Sequence, residues 1–105
     1  MKELLVKFNI LMAQSDNAQC GIDADKLLIE SLESLVSLCD NNIKEHEDEE
    51  SLKLTFMMLK DKTLNTIIDR NMQLQSSIER QIKLLEKLRE LQILMDNSKE
   101  IEVVH

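Results

Sequence analysis

An unbroken heptad repeat between residues 64 and 95 constrains the fold of this chain more than any other feature. Ten positions follow one another at alternating spacings of three and four residues: Leu64, Ile67, Asn71, Leu74, Ile78, Gln81, Leu85, Leu88, Gln92 and Met95. Seven of the ten are apolar. This spacing is typical of a helix that packs along another helix in a coiled coil. The chain has no proline and no glycine after Gly21, so nothing in the backbone obliges this helix to stop early.

The hydrophobic pattern predicts an all-α fold in a single helical domain over residues 1–105. A short helix, a medium helix and a long C-terminal coiled-coil helix are expected to form a helical hairpin or three-helix arrangement. The three helices and the C-terminal tail are predicted at about residues 2–14, 24–43, 49–95 and 96–105. The tail has an alternating pattern that fits either a frayed end or a short strand.

The boundary between the first two helices is predicted from three local signals. Gly21 indicates a loop, and Asp23 is a suitable N-cap for the second helix. Ile22 and Leu27 occupy the two positions of a hydrophobic staple. A loop before residue 24 is therefore expected.

The acidic segment from Lys44 to Glu50 is predicted to connect the second and third helices. It contains five acidic residues and His46, but it lacks the spacings that bring metal ligands together, so no metal site is expected. A solvated turn is the default interpretation, and docking of a basic partner is the alternative. A single helix running straight through the segment also stays open, because no glycine or proline breaks it.

Helix lengths predict that the third helix needs a partner. It would be about 70 Å long, whereas the first two would measure about 20 and 33 Å, so they cannot cover it. Its C-terminal half would expose large apolar side chains, each worth about 1.5–3 kcal/mol when buried. The predicted oligomer interface comprises Leu64, Ile67, Asn71, Leu74, Ile78, Ile82, Leu84, Leu85, Leu88, Leu91 and Met95.

Two groups of side chains on the long helix have alternative interpretations. Asn71 either fixes the register of a coiled coil or is a partly hydrated position. Met57, Met58 and Met72, with Phe56, either form an adaptable binding groove or fill gaps in the core, and the second is commoner at helical spacing. Cys39, on the stripe of the second helix, is expected to be a small buried apolar residue.

Composition disfavours several classes of function. The net charge of −7 disfavours binding to nucleic acid and anionic membranes, and two phenylalanines are the only aromatic residues. Cys20 and Cys39 form no Cys-x-x-Cys pair, and no stretch approaches the length of a membrane span. We therefore expect an intracellular protein, cytoplasmic or nuclear, with no membrane contact and no cofactor.

No catalytic, cofactor or nucleic-acid motif occurs, so an enzyme is not expected. The sequence instead favours a structural or scaffold subunit that joins protein helices, its own or those of other proteins, in a multi-subunit complex. A homo-oligomeric helical adaptor or chaperone that binds a client helix is the alternative. The sequence contains no motif that assigns it to a family.

Overall fold

Two long helices make up the computed structural model, which describes the backbone of residues 2–104 and the side-chain surroundings of residues 2–98. Helix α1 spans Lys2–Glu45 and helix α2 spans Glu50–Val104. No strand occurs in this described backbone, which confirms the all-helical class. Because α1 ends before residues 46–49 and α2 begins after them, a single helix through the acidic segment is wrong.

Helix α1 is continuous where two helices and a loop were predicted, so the loop at Gly21 and the N-cap at Asp23 are wrong. Gly21 adopts no left-handed conformation, since no described residue has a positive φ. A glycine inside a helix costs about 1 kcal/mol relative to alanine. Its neighbour Ile22 is only 3% exposed, and burial of such a side chain contributes about 1.5–3 kcal/mol, which outweighs that cost.

The C-terminal tail also differs from the prediction. Helix α2 continues to Val104, so neither a break after residue 95 nor a strand is present there, and His105 lies outside the described residues. The 44 residues of α1 correspond to about 66 Å of helix. The 55 residues of α2 correspond to about 82 Å, so α1 is still the shorter helix, and the predicted need of the long helix for a partner stays a prediction.

Contacts divide the chain into two compact units, each built from part of both helices. Unit 1 comprises Met1–Ile22 and Ser76–His105, and unit 2 comprises Asp23–Gln75. Within each unit the two helix segments pack side by side in opposite directions, as a helical hairpin requires. The prediction of one domain over the whole chain stays a prediction.

Unit 1 has a core of mixed polarity. Ile22, Leu88 and Met95 are buried together with the polar residues Ser15 and Gln81. Apart from the half-buried Ile78, the remaining less exposed side chains continue the spacing of three and four: Leu4, Phe8, Leu11, Ala18, Ser77, Leu84, Leu91 and Ser98. This spacing is compatible with coiled-coil packing between the two helix segments.

Unit 2 is built around small side chains. Ile29, Cys39 and Thr63 are buried, and Cys39 is only 1% exposed, which confirms its prediction as a small buried residue. The Thr63 hydroxyl donates to the Leu59 carbonyl at 2.8 Å, so its burial leaves no unpaired donor. On α2 the other less exposed positions of unit 2 are Lys53, Phe56, Lys60, Ile67, Arg70 and Leu74. The core-facing side of α2 is therefore strongly polar in this unit.

The turn at residues 46–49 is organised by His46. Its N–H donates to the Asn42 carbonyl and its carbonyl accepts from the Glu49 N–H, both at 3.0 Å. The Glu49 carbonyl accepts from the Lys53 N–H at 2.9 Å and so opens the first turn of α2. The His46 ring stacks on Phe56 with centroids 6.2 Å apart, and the acidic side chains of the turn stay exposed.

Candidate protein-interaction surfaces

Burial divides the predicted interface residues into two sets. Seven are buried or half-buried within the chain itself: Ile67, Leu74, Ile78, Leu84, Leu88, Leu91 and Met95. Four are exposed: Leu64, Asn71, Ile82 and Leu85. When one helix of a hairpin carries a wide apolar stripe, its contact with the other helix covers only one side of that stripe. The chain therefore covers part of the heptad and leaves the other part in solvent.

The exposed part in unit 1 is Ile82 and Leu85, which together with the half-buried Ile78 form a short stripe that we call the isoleucine stripe. Ile82 and Leu85 are each 50% exposed, and Ile78 is half-buried beside them. The three residues recur at spacings of four and three, so they lie on one face of the helix. Glu79 and Glu86 lie along one edge of the stripe and are exposed, as expected for the rim of a contact surface.

A polar cluster in the core of unit 1 connects the two helix segments. Gln81 Nε2 donates to the Ser15 carbonyl and to Ser15 Oγ, both at 3.1 Å, and lies 3.4 Å from Gln19 Oε1. Gln81 Oε1 is buried and has no hydrogen-bond partner. The sequence singled out Asn71 as the register-fixing polar residue, but Asn71 is exposed and Gln81 is the buried one.

Unit 2 exposes six large apolar side chains on one side of α2, which we call the methionine face: Leu54, Met57, Met58, Leu64, Ile68 and Met72. Met58 and Met72 are 63% and 67% exposed. The interpretation of the methionines as gap-fillers of the core is therefore wrong, and Phe56 alone of that group turns inward to stack on His46. The physical reason is that Lys53, Lys60 and Thr63 take the inward positions.

A groove runs between the two helices of unit 2 on the side of the methionine face. Near the turn it has a volume of about 540 Å³, and its lining includes Met57 and Leu64 from α2 and Asp40 from α1. Further along the same flank, Glu30 and Glu33 of α1 lie opposite Asn71. Charged side chains line both walls, because Lys44 of α1 and Lys53, Lys60 and Asp61 of α2 line the groove as well.

An ion pair between Lys60 and Asp40 joins the two walls. Lys60 Nζ lies 2.6 Å from Asp40 Oδ1. The hydrogen bond and the negative charge of Asp40 raise the pKa of Lys60 above the ordinary lysine value of 10.5. Because both side chains remain largely solvated, the pair fixes geometry more than it stabilises the fold.

Helix α1 has an uncharged side that sequence analysis missed. Three adjacent rows of its heptad, exposed except at the half-buried Leu35 and Asn42, carry no charged residue between positions 10 and 42: Ile10, Ala13, Gln14, Asn17, Cys20, Gly21, Ala24, Leu27, Leu28, Ser31, Ser34, Leu35, Leu38, Asn41 and Asn42. Ile10 in unit 1, and Leu27 and Leu38 in unit 2, are each more than half exposed. The spacing of three and four through Ser15, Ala18 and Ile22 would have located this side, had small residues been accepted as core positions.

Among the described residues, no group of three acidic, histidine or cysteine side chains is arranged to hold a metal ion. The helices of the described chain include none that is both long and apolar enough to cross a membrane. Cys20 is exposed and Cys39 is buried, and neither forms a disulfide.

Comparison with known protein families, with known proteins and with solved structures finds no match to this chain. Function therefore has to be inferred from the surfaces themselves.

Proposed function

We propose that this chain is a non-enzymatic structural subunit that joins protein helices in a multi-subunit intracellular complex through coiled-coil packing. The observation that supports it best is the exposed isoleucine stripe. Leu85 belongs to the heptad whose further members Leu88 and Met95 are buried within the chain, and Ile82 lies beside Leu85 on the exposed face. Another helix laid on this stripe would extend an existing two-helix packing into a three- or four-helix bundle.

The balance of burial supports the same proposal. Of the described residues, five apolar side chains are buried, whereas nineteen large apolar ones are exposed. Scattered exposed apolar residues are ordinary, but residues that recur along one face of a helix are typical of an interaction surface. Protein helices are the expected partners because the exposed apolar residues of α2 recur along one face of the helix.

The experiment compares three tagged full-length baits in the native cell: the parent, Ile82→Glu with Leu85→Glu, and Ser76→Glu with Asn97→Glu. The third is the matched control, because Ser76 and Asn97 are exposed on the same helix and the change in charge is identical. We expect the parent and the control to recover the same partner in stoichiometric amount, and the stripe variant to lose it. Identical recovery by all three baits would contradict the proposal.

A homo-oligomeric adaptor or chaperone that holds a client helix is the second candidate function. The exposed Met57, Met58 and Met72 favour it, because methionine side chains adapt to different apolar partners. Sedimentation equilibrium of the pure chain distinguishes the candidates. A defined oligomer of this chain alone supports the adaptor, and a monomer that gains mass only with a second protein supports the hetero-oligomeric subunit.

A further inference from the structure

In unit 2, charged residues of α2 face α1 and apolar residues of α2 face solvent, which is the reverse of the arrangement expected in a hairpin that folds without a partner. Lys53, Lys60 and Arg70 take half-buried positions towards α1, while Met58 and Met72 lie in solvent. Burial of each large apolar side chain is favourable by about 1.5–3 kcal/mol, so an isolated hairpin would gain from the reverse arrangement. The methionine face is therefore matched to an occupant outside the hairpin.

The shape of the methionine face fits one helix. At 100° per residue, its six members fall within an arc of about 120° on α2, which is the width of the apolar stripe of an amphipathic helix. From Leu54 to Met72 the face is about 27 Å long, or five helical turns. Asp61 is the one charged residue within this arc and span. The face can therefore hold an amphipathic helix of about 18 residues in a helix-in-groove mode.

Charge favours a basic occupant over a second copy of this chain. Unit 2 contains twelve acidic and six basic residues, whereas unit 1 contains eight acidic and seven basic residues. Nearly the whole net charge of −7 therefore belongs to unit 2. Two methionine faces packed together would bring two units of net charge −6 into proximity, and like charges at an interface are unfavourable.

The acidic groups lie where a docked helix would meet them. Glu30 and Glu33 line the groove on the flank shared with the methionine face, opposite Asn71. The turn at one end of unit 2 adds Glu47, Asp48 and Glu49, all exposed. Lys26 and Lys44 also line the groove, but residues 23–50 carry ten acidic and two basic side chains, so this side of the face is complementary to the basic side of an amphipathic helix.

We propose that the methionine face binds a basic amphipathic helix of another protein. The apolar side of that helix covers Met58, Ile68 and Met72, and its lysine and arginine residues lie against Glu30, Glu33 and the acidic turn. Since methionine adapts its shape to its neighbours, the face selects a class of helices by charge and amphipathicity more than by one sequence. This proposal rests on the proposed function and names the partner class for one part of its surface.

The test uses three labelled 20-residue peptides with the full chain. The first is an amphipathic helix of leucine and lysine, the second replaces every lysine by glutamate, and the third has the composition of the first in scrambled order. Fluorescence anisotropy gives the Kd of each at about 0.05 and 0.5 M salt, which strengthens or screens exposed charge pairs. We expect saturable one-to-one binding of the first peptide, at least about tenfold tighter than the other two.

Two pairs of variants locate the site. Met58→Ser with Met72→Ser removes two members of the face, and Leu52→Ser with Leu59→Ser is its control, because both leucines are exposed on α2 outside the face. Glu30→Gln with Glu33→Gln removes groove charges, and Asp16→Asn with Glu90→Gln removes equal charge from exposed positions of unit 1. The methionine variant should weaken binding at least about tenfold. The groove variant should flatten the salt dependence, and both controls should leave binding within about twofold.

Equal affinity for the basic and acidic peptides would overturn the proposal, as would equal losses in the methionine variant and the leucine control. A dimer of the pure chain that the methionine variant dissolves would identify a second copy as the occupant and would also overturn it. Failure here is separable from failure of the proposed function. The peptide test uses residues of unit 2, whereas the bait test uses Ile82 and Leu85 in unit 1.

Discussion

Gln81 Nε2 donates a hydrogen bond to Ser15 Oγ at 3.1 Å, across the buried contact between the two helix segments of unit 1. The bond is specific to one register, because a shift of either helix would separate the two side chains. Its cost is visible at Gln81 Oε1, which is buried without a hydrogen-bond partner. The pair therefore favours one alignment of the helices at some expense of stability.

The first prediction concerns this pair. Gln81→Leu should raise the melting temperature, because leucine removes an unpaired buried acceptor and fills the same core position. It should also broaden the distribution of oligomers in native mass spectrometry, because alternative registers lose their penalty. Gln92→Leu is the matched control, since Gln92 is exposed and bonds only to Asp96 in its own helix. A destabilised but uniform Gln81→Leu chain would contradict this role.

Gly21→Ala should stabilise the protein by about 0.5–1 kcal/mol in chemical denaturation. The position is helical, and a Cβ added there would meet no atom within 4 Å. The gain comes from the helix propensity of alanine and the restricted unfolded chain, with no new contact. Loss of stability would instead indicate that Gly21 lies in a loop, as the sequence predicted.

Asp40→Asn should lower stability slightly at neutral pH and not at strongly alkaline pH. The raised pKa of Lys60 means that its stabilising charge is fully present below pH 10.5 and is lost as the pH rises through the higher folded-state value. Melting curves of the parent and the variant should therefore converge above that range. Asp69→Asn, at an exposed position of α2, controls for the loss of one negative charge. A difference that persists at alkaline pH would show that Asp40 acts otherwise than through Lys60.

Replacing a leucine of the heptad by aspartate should have different effects on stability at the neighbouring positions Leu85 and Leu88. Leu88 is 7% exposed, so Leu88→Asp should unfold much of unit 1, because a carboxylate there is buried without a partner. Leu85 is exposed, so Leu85→Asp should preserve the helical circular dichroism spectrum and the melting temperature of the isolated chain. Equal destabilisation by the two substitutions would place Leu85 in the core of the hairpin.

The sequence predicted the turn well and the first helix poorly. Helix ends expected near residues 43 and 49 lie at Glu45 and Glu50, because the acidic run separates two strong apolar patterns. Continuity of α1 was missed because Ser15, Gly21 and Asp23 are common in loops and caps. Their local preferences are outweighed by tertiary packing of Ile22 and of the small core residues beside it.

The side of α2 that faces α1 could not be predicted from hydrophobicity alone. Leu84 and Leu85 are identical in type and adjacent in sequence, yet the first is half-buried and the second exposed. In unit 2 the core side takes Thr63 while Leu64 stays in solvent. Such choices depend on the opposing helix, and Asn71 as a register residue stays a prediction for an assembly in which α2 is covered.

Hydroxyl-radical footprinting of the chain, alone at low concentration and within its purified assembly, tests the central claim most directly. In the separate chain, Ile82 and Leu85 should be labelled readily, while Leu88 and Met95 should be labelled slowly because they are buried. In the assembly, labelling of Ile82 and Leu85 should fall to the level of Leu88, with Leu88 and Met95 unchanged. Undiminished labelling of Ile82 and Leu85 in the assembly would contradict the claim that another helix covers this side of α2.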